Sequence, residues 1–255
     1  MQRWRYVAVV FFIFLLSDYG FSAEPAVSWL GPVGLFTQPS ANTFRKGEAA
    51  LTFSELRFMQ DNNDSCVKTT SISGSFTVVP VDRLELAIST RHEMIQTFPM
   101  YGADLLHDIS VSEIIGDIKY VVIPVEPCKP GLAVGIIDLT NATDVIAGHD
   151  TERGRRFYLA GTYEWATLGV THDGQGIQGY VGVDFTINTN IEFIYEYSTA
   201  PIFPRALPHP STDVNCNMGL RIHPCEIPNL RLDLAAVGDG HFCFGFSFSQ
   251  KFSLF

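Results

Sequence analysis

A two-residue alternation of apolar and polar side chains recurs along most of this chain, and it restricts the fold to extended strands with one apolar face. Ile72, Gly74, Phe76 and Val78 alternate with Ser71, Ser73, Ser75 and Thr77. Leu84, Leu86 and Ile88 alternate with Arg83, Glu85, Ala87, Ser89 and Arg91. Ile118, Tyr120 and Val122 oppose Asp117 and Lys119, and Val181, Val183, Phe185 and Ile187 oppose Tyr180, Gly182, Asp184 and Thr186. Ile191, Phe193, Tyr195 and Tyr197 oppose Glu192, Ile194 and Glu196; Met218, Leu220 and Ile222 oppose Asn217, Gly219, Arg221 and His223. Leu230, Leu232 and Leu234 oppose Arg231, Asp233 and Ala235, and in the last segment Phe242, Phe244, Phe246 and Phe248 oppose Cys243, Gly245, Ser247 and Ser249. Helical periodicity is nowhere sustained.

With less regular stretches near 48–58, 132–139, 156–163 and 167–172, the pattern gives about twelve strands. The gaps run long (59–69), short (80–83), long (93–115), short (125–130), long (140–155), then short near Glu164. A medium gap (173–178), a short one (188–190), a long one (199–214) and a short one (224–228) follow, and only Gly238-Asp239-Gly240 is short where a long loop is expected. An even number of strands with alternating gap lengths is the topology of a transmembrane barrel, with tight turns on the periplasmic side and longer loops outside. An apolar face rich in Phe, Tyr and Leu, with Tyr163, Trp165, Tyr195 and Tyr197 near strand ends, favours lipid over a soluble sandwich or barrel. The predicted fold class is therefore an all-β antiparallel transmembrane β-barrel of about twelve strands, after a cleaved signal peptide. Leu230, Leu232, Leu234, Phe242, Phe244, Phe246 and Phe248 are expected to face lipid. Phe255 is out of phase with the even-numbered rings, so a bulge near Gln250-Lys251 or a turned-away terminus is implied.

Two arginines before an unbroken apolar run, Val7 to Leu16, and small residues at Gly20 to Ala23 read as a secretory signal over residues 1–23. Residues 24–46 are expected to form a lead-in segment and 47–255 the barrel. Such a chain belongs in the bacterial outer membrane, in contact with its lipid, delivered by periplasmic chaperones and inserted by the barrel assembly machinery. The net charge of -10 argues against nucleic acid, whose phosphates need basic patches. Cys66, Cys128, Cys216, Cys225 and Cys243 match no zinc spacing, and their odd number leaves at least one without an intrachain partner. Cys128 and Cys225, both in short turns, are the one candidate pair.

The stretch from Gly31 to Gly47, with Gly34-Leu35, Thr37-Gln38-Pro39-Ser40-Ala41 and Gly47 before the first strand, resembles the opening of YjbH-type outer-membrane β-barrel proteins. Leu132-Ala133-Val134-Gly135-Ile136, Phe193 to Tyr197, and Met218-Gly219-Leu220-Arg221 leading to Leu230 through Leu234 fit the same outline. The resemblance implies an outer-membrane barrel, in some members linked to exopolysaccharide production or export. It brings no catalytic residues.

The residues point the same way. None of His92, His107, His149, His172, His209, His223 and His241 sits in a nucleophile motif or at metal-ligand spacing, so no enzyme, metal or cofactor is expected. Arg83, Glu85, Arg91, Asp117, Lys119, Asp184, Glu192, Glu196, Arg221, Arg231 and Asp233 are expected to point into the lumen. They form either the lining of a small channel or a paired network that plugs it, and partial plugging is favoured for about twelve strands. The function expected is structural, passive-transport or related to the envelope and exopolysaccharide. A secreted or periplasmic carbohydrate-binding module is the alternative, and an outer-membrane hydrolase a more distant one.

Overall fold

The computed structural model describes Ser28 and residues 34–62, 65–99, 107–139, 145–146, 149–150, 155–172, 176–199, 216–227, 229–237 and 241–251. The signal segment and the terminal Phe252, Leu254 and Phe255 lie outside them, as does His209. Twelve strands close into one ring: β1 (Glu48–Asn62), β2 (Ser65–Val81), β3 (Leu84–Pro99), β4 (His107–Ile123), β5 (Gly131–Ile137), β8 (Arg156–Tyr163), β9 (Ala166–His172), β10 (Ile177–Asn188), β11 (Ile191–Ser198), β12 (Cys216–Ile222), β13 (Leu230–Val237) and β14 (His241–Lys251). A two-residue ladder, β6 (Val145–Ile146) with β7 (His149–Asp150), lies in the β5–β8 connection. Every neighbouring pair is antiparallel, and β14 closes on β1 from Glu48↔Lys251 to Arg57↔Phe242. Closure removes the edges that hydrocarbon does not tolerate.

The alternation sorts side chains between two environments. Ser71, Ser73, Ser75, Thr77, Ser89, Thr162 and Thr167 point inward and are buried. Leu51, Phe76, Ile88, Phe157, Leu168, Ile177 and Phe242 point outward, with Leu168 65% and Ile177 78% exposed. Buried polar groups inside and exposed large apolar groups outside invert the arrangement of a soluble protein, and the outer belt is that of a membrane-spanning barrel. Leu230, Leu232 and Leu234 share this outer face with Phe242, Phe244, Phe246 and Phe248, which are exposed. Tyr120 and Tyr163 lie outward at the end where the tight turns 82–83, 164–165 and 189–190 cluster. In those turns Arg83 (φ 71°) and Glu164 (φ 51°) take the left-handed conformation that a two-residue connection requires.

The wall is uneven. β1 to β4 run 15, 17, 16 and 17 residues, whereas β5, β8, β9, β11, β12 and β13 have 7 or 8. The long gaps read at 59–69 and 93–115 are in fact mostly strand: β1 and β2 are separated by two residues, and β3 and β4 extend to Pro99 and from His107. In their outer halves the outward positions turn polar, with Glu55, Arg57, His92, Ser110 and Ser112 outward while Leu56 and Ile95 turn inward, so the apolar outer face stops although the ladder continues. Beyond the apolar belt this four-stranded palisade rises about 20 Å, from about eight residues at ~3.3 Å each and a tilt of ~40°. On β4 the pairing with β5 covers only Ile118 to Ile123.

At the seam, Phe53 of β1 stacks on Phe246 of β14 with centroids 5.4 Å apart and planes inclined by 28°. Phe53→Ala and Phe246→Ala in a double-mutant cycle, followed by denaturant unfolding in micelles, should show a coupling of about 0.5–1.5 kcal/mol.

Candidate functional site

The lumen is the candidate site, and residues 34–44 sit inside it. This part of the expected lead-in segment folds into a tight hairpin: Leu35 N–H donates to the Gln38 carbonyl at 2.9 Å, and Gly34 bridges Pro39. Leu35, Phe36, Thr37 and Ser40 are at most 1% exposed. From the hairpin the chain runs to the turn at Lys46-Gly47, where Gly47 adopts φ 79°, and enters β1. The hairpin tip packs on Leu56, Ile194, Ala235, Val237 and Cys243 of the wall. Lower down, Ala41 packs on Val121 and Ala133, and Phe44 on Ala50 and Val79. Leu35 fits because Gly182 faces it, since a Cβ there would collide with the Leu35 side chain.

The wall anchors this plug with polar groups. Glu196 accepts from the Thr37 backbone N–H at 2.8 Å and from the Thr37 hydroxyl at 2.7 Å. Tyr180 donates its hydroxyl to the Pro39 carbonyl at 2.9 Å, and Gly169 opposite Tyr180 leaves the space its ring fills. The Ala41 N–H donates to the Thr162 hydroxyl at 2.8 Å, Lys119 Nζ to the Asn42 carbonyl at 2.5 Å, and the Thr43 hydroxyl to Glu85 at 3.1 Å. Arg221 lies over the Phe36 ring, 5.8 Å from its centroid. Each backbone amide or carbonyl so satisfied is one that an irregular segment in a water-poor lumen would otherwise leave without a partner.

Several of the remaining charges form pairs. Lys119 meets Glu85 at 3.2 Å, and Arg221 engages Asp233 through both Nε (2.9 Å) and an Nη (3.3 Å) while Glu192 and Asp184 also flank it. Glu192 also reaches His223 at 2.9 Å, and Asp117 accepts the Asp138 N–H at 2.9 Å. Arg91 bonds to Glu113 and lies 3.5 Å from Glu93, higher in the lumen between β3 and β4. Arg231, like these, is inward and buried. Arg83 is the exception. Expected among the lumen charges, it is exposed in the β2–β3 turn, donating to the Val122 carbonyl at 3.5 Å, because β3 begins one residue after it. Glu93 and Glu113 were missed at the sequence level although they keep the inward parity of Arg91 and Asp117; they lie beyond the strand ends that hydrophobicity alone marks out.

Among the described residues no cluster of three or more His, Cys, Asp or Glu is placed to hold a metal. His92 faces outward, bonded to Ser112 at 2.8 Å, and His172 is exposed on the outside. The side chains of His107, His149 and His241 lie outside the described residues. Cys128, Cys216, Cys225 and Cys243 are free, so the proposed Cys128–Cys225 bridge does not form: β5 to β12 separate the two turns around the ring. In the first of those turns Lys129, bonded to Glu126 at 2.7 Å, holds that carboxyl below its ordinary range.

No family model matches the chain, and no curated protein matches it. Solved structures resemble it in fold. An outer-membrane channel from Pseudomonas putida F1 is 11% identical with a TM-score of 0.44, over 82% of this chain and 97% of that one. The outer-membrane protein OprG of Pseudomonas aeruginosa is 9% identical with a TM-score of 0.27, over 83% and 99%. A Pseudomonas aeruginosa FadL homologue is 10% identical with a TM-score of 0.32, over 92% and 100%. The likeness is distant, and the assignment as an outer-membrane-type β-barrel rests on ring closure, the apolar belt and the polar lumen.

Two outcomes test the lumen. Asp233→Ala leaves Arg221 buried without its main counter-charge and should cost about 3–5 kcal/mol in micelle unfolding, whereas Arg221→Met with Asp233→Leu should cost far less. Gly182→Leu should push Leu35 out of its seat, and chymotrypsin should then cut after Leu35 or Phe36, sites protected in the parent protein, while the barrel still migrates as a folded band.

Proposed function

We propose that this chain is an outer-membrane barrel for passive transport that rests in a closed state, with its own N-terminal hairpin as the stopper. The observation that carries the reading is the seating of residues 34–44 within a lumen lined by charged side chains, several of them paired. A ring of twelve strands is wider than side chains alone fill, so a lumen of this size needs either water or a plug. Here the plug is held by a limited set of contacts: Glu196, Tyr180, Thr162, Lys119 and Glu85 by hydrogen bonds, and Gly182 by shape. Both termini of the described hairpin segment belong to the chain just before β1, so its withdrawal leaves every barrel strand paired. The lining that then meets water carries both signs of charge, which suits small polar solutes of either sign rather than one class of ion.

Chaperone delivery and insertion by the barrel assembly machinery are part of the same reading. So is a narrower envelope role, exopolysaccharide-related, which rests on the YjbH-type resemblance of the segment that forms the plug. Planar-bilayer recording tests the transport reading. The parent protein should be closed or open only in rare steps, and removal of residues 35–43 should produce stable stepwise conductance that Glu192→Gln alters. A folded deletion variant with no conductance above the parent would refute it.

A further inference from the structure

One carboxylate fastens the tip of the hairpin. The backbone amides of Phe36, Thr37 and Gln38 are consecutive in the turn, and all three are directed at Glu196 of β11. The Thr37 N–H donates to its Oε1 at 2.8 Å, and the Thr37 hydroxyl to its Oε2 at 2.7 Å. Successive amides that converge in this way make a concave anion site, filled here by a side chain of the protein's own wall. Both carboxylate oxygens accept. A protonated carboxyl would turn its own O–H against one of these donors, so the contacts suit the charged form.

Glu196 has no cation to share that charge. It is 0% exposed, and among the described residues no lysine, arginine or histidine forms an ion pair with it. Glu85, the other carboxylate that bonds the segment, has Lys119 at 3.2 Å. The ionisable groups packed nearby have their own engagements. On β10, Tyr180 donates to the Pro39 carbonyl, and Asp184 lies beside Glu192 and Arg221. On β12, Arg221 is bonded to Asp233 of β13, and Cys216 is a free thiol. Along β11 itself Glu192 reaches His223, and β14 contributes the thiol of Cys243. The hairpin brings none, since residues 34–44 contain no ionisable side chain. A buried carboxylate held by dipoles alone is the member of such a site that acid neutralises first. It is also well placed to meet acid, two residues from the loop end of β11 at Ser198.

We propose that Glu196 is an acid-operated latch: acidification at the outer mouth neutralises it and frees the hairpin tip, so external pH regulates withdrawal of the plug. The latch rests on the reading of this hairpin as the stopper. Its sign follows from the contacts, because the charged form accepts from the tip and the neutral form does not. The plug is therefore held at neutral pH and released as pH falls.

Cys243, 1% exposed in the cluster at the hairpin tip, reports plug position independently of conductance. The test uses the full chain in micelles with Cys66, Cys128, Cys216 and Cys225 replaced by serine. Reaction of Cys243 with a dipyridyl disulfide, normalised at each pH to the unfolded chain, should rise about tenfold between about pH 7.5 and about pH 5. Glu196→Gln keeps the shape but presents an uncharged amide to the tip. It should react about tenfold faster than the parent at neutral pH and lose the pH dependence. Thr37→Val removes one donor without touching the wall, and should move the midpoint of release to higher pH even if the Gln variant does not fold. Parent labelling that ignores pH, a Gln variant as pH-sensitive as the parent, or an unshifted midpoint in Thr37→Val would each overturn the proposal. Acid-dependent labelling without acid-dependent conductance would support the latch and count against the transport reading instead.

Discussion

In hydrocarbon a backbone amide or carbonyl has no water to turn to, and the structure is arranged around that single requirement. The β1–β14 ladder is therefore the contact on which the rest depends, because it alone converts an open sheet with two edges into a ring. Once the ring is closed, the side-chain pleat decides everything else. One face must be apolar because it meets lipid, and the other is free to carry charge, provided each charge finds a partner. Phe53 against Phe246 on the outside, and Ser54 against Ser73 (2.6 Å) on the inside near the same strands, show the division within one short stretch of wall.

The lumen faces the requirement a second time. Residues 34–44 are irregular backbone inside the lumen, and they persist there because wall side chains supply what a strand partner would. Glu196 accepts an amide, Thr162 accepts another, Lys119 and Tyr180 donate to carbonyls. The same residues thus serve two ends: they make an irregular plug compatible with the barrel, and they define how strongly it is held. The wall's small residues complete this, since a larger side chain at Gly182 would exclude Leu35.

The architecture was readable in the alternation because lipid on one side and polar contacts on the other enforce the same period in every strand. The inward parity of Glu85, Asp117, Lys119, Asp184, Glu196, Arg221 and Asp233 needed no more than that. Arg83 has the right parity but lies one residue outside the strand, and parity says nothing about where a ladder stops. The outer halves of β1 to β4 failed for a different reason: the outward positions turn polar there, as at Glu55, Arg57, Ser110 and Ser112, while apolar Leu56 and Ile95 turn inward, so the parity of the belt is lost although pairing continues. The hairpin was the deepest omission. Thr37, Gln38 and Pro39 look like an ordinary turn, and what makes them a plug is the spatial convergence of Glu196, Tyr180 and Gly182, 141 or more residues away in sequence.

The tall side of the wall has a consequence of its own. Above Gly116, β4 stays paired with β3, but its opposite edge has no strand partner among the described residues, so the amides and carbonyls along that edge depend on water or loop. Hydrocarbon would strand them, and it would likewise strand Arg57, His92 and Ser112 beside them. The palisade therefore acts as a collar. Its polar outer face limits how deep this side of the barrel can sit in hydrocarbon. The depth of the barrel on this side is then set by where its strands stop being apolar outside, not by where they stop being paired.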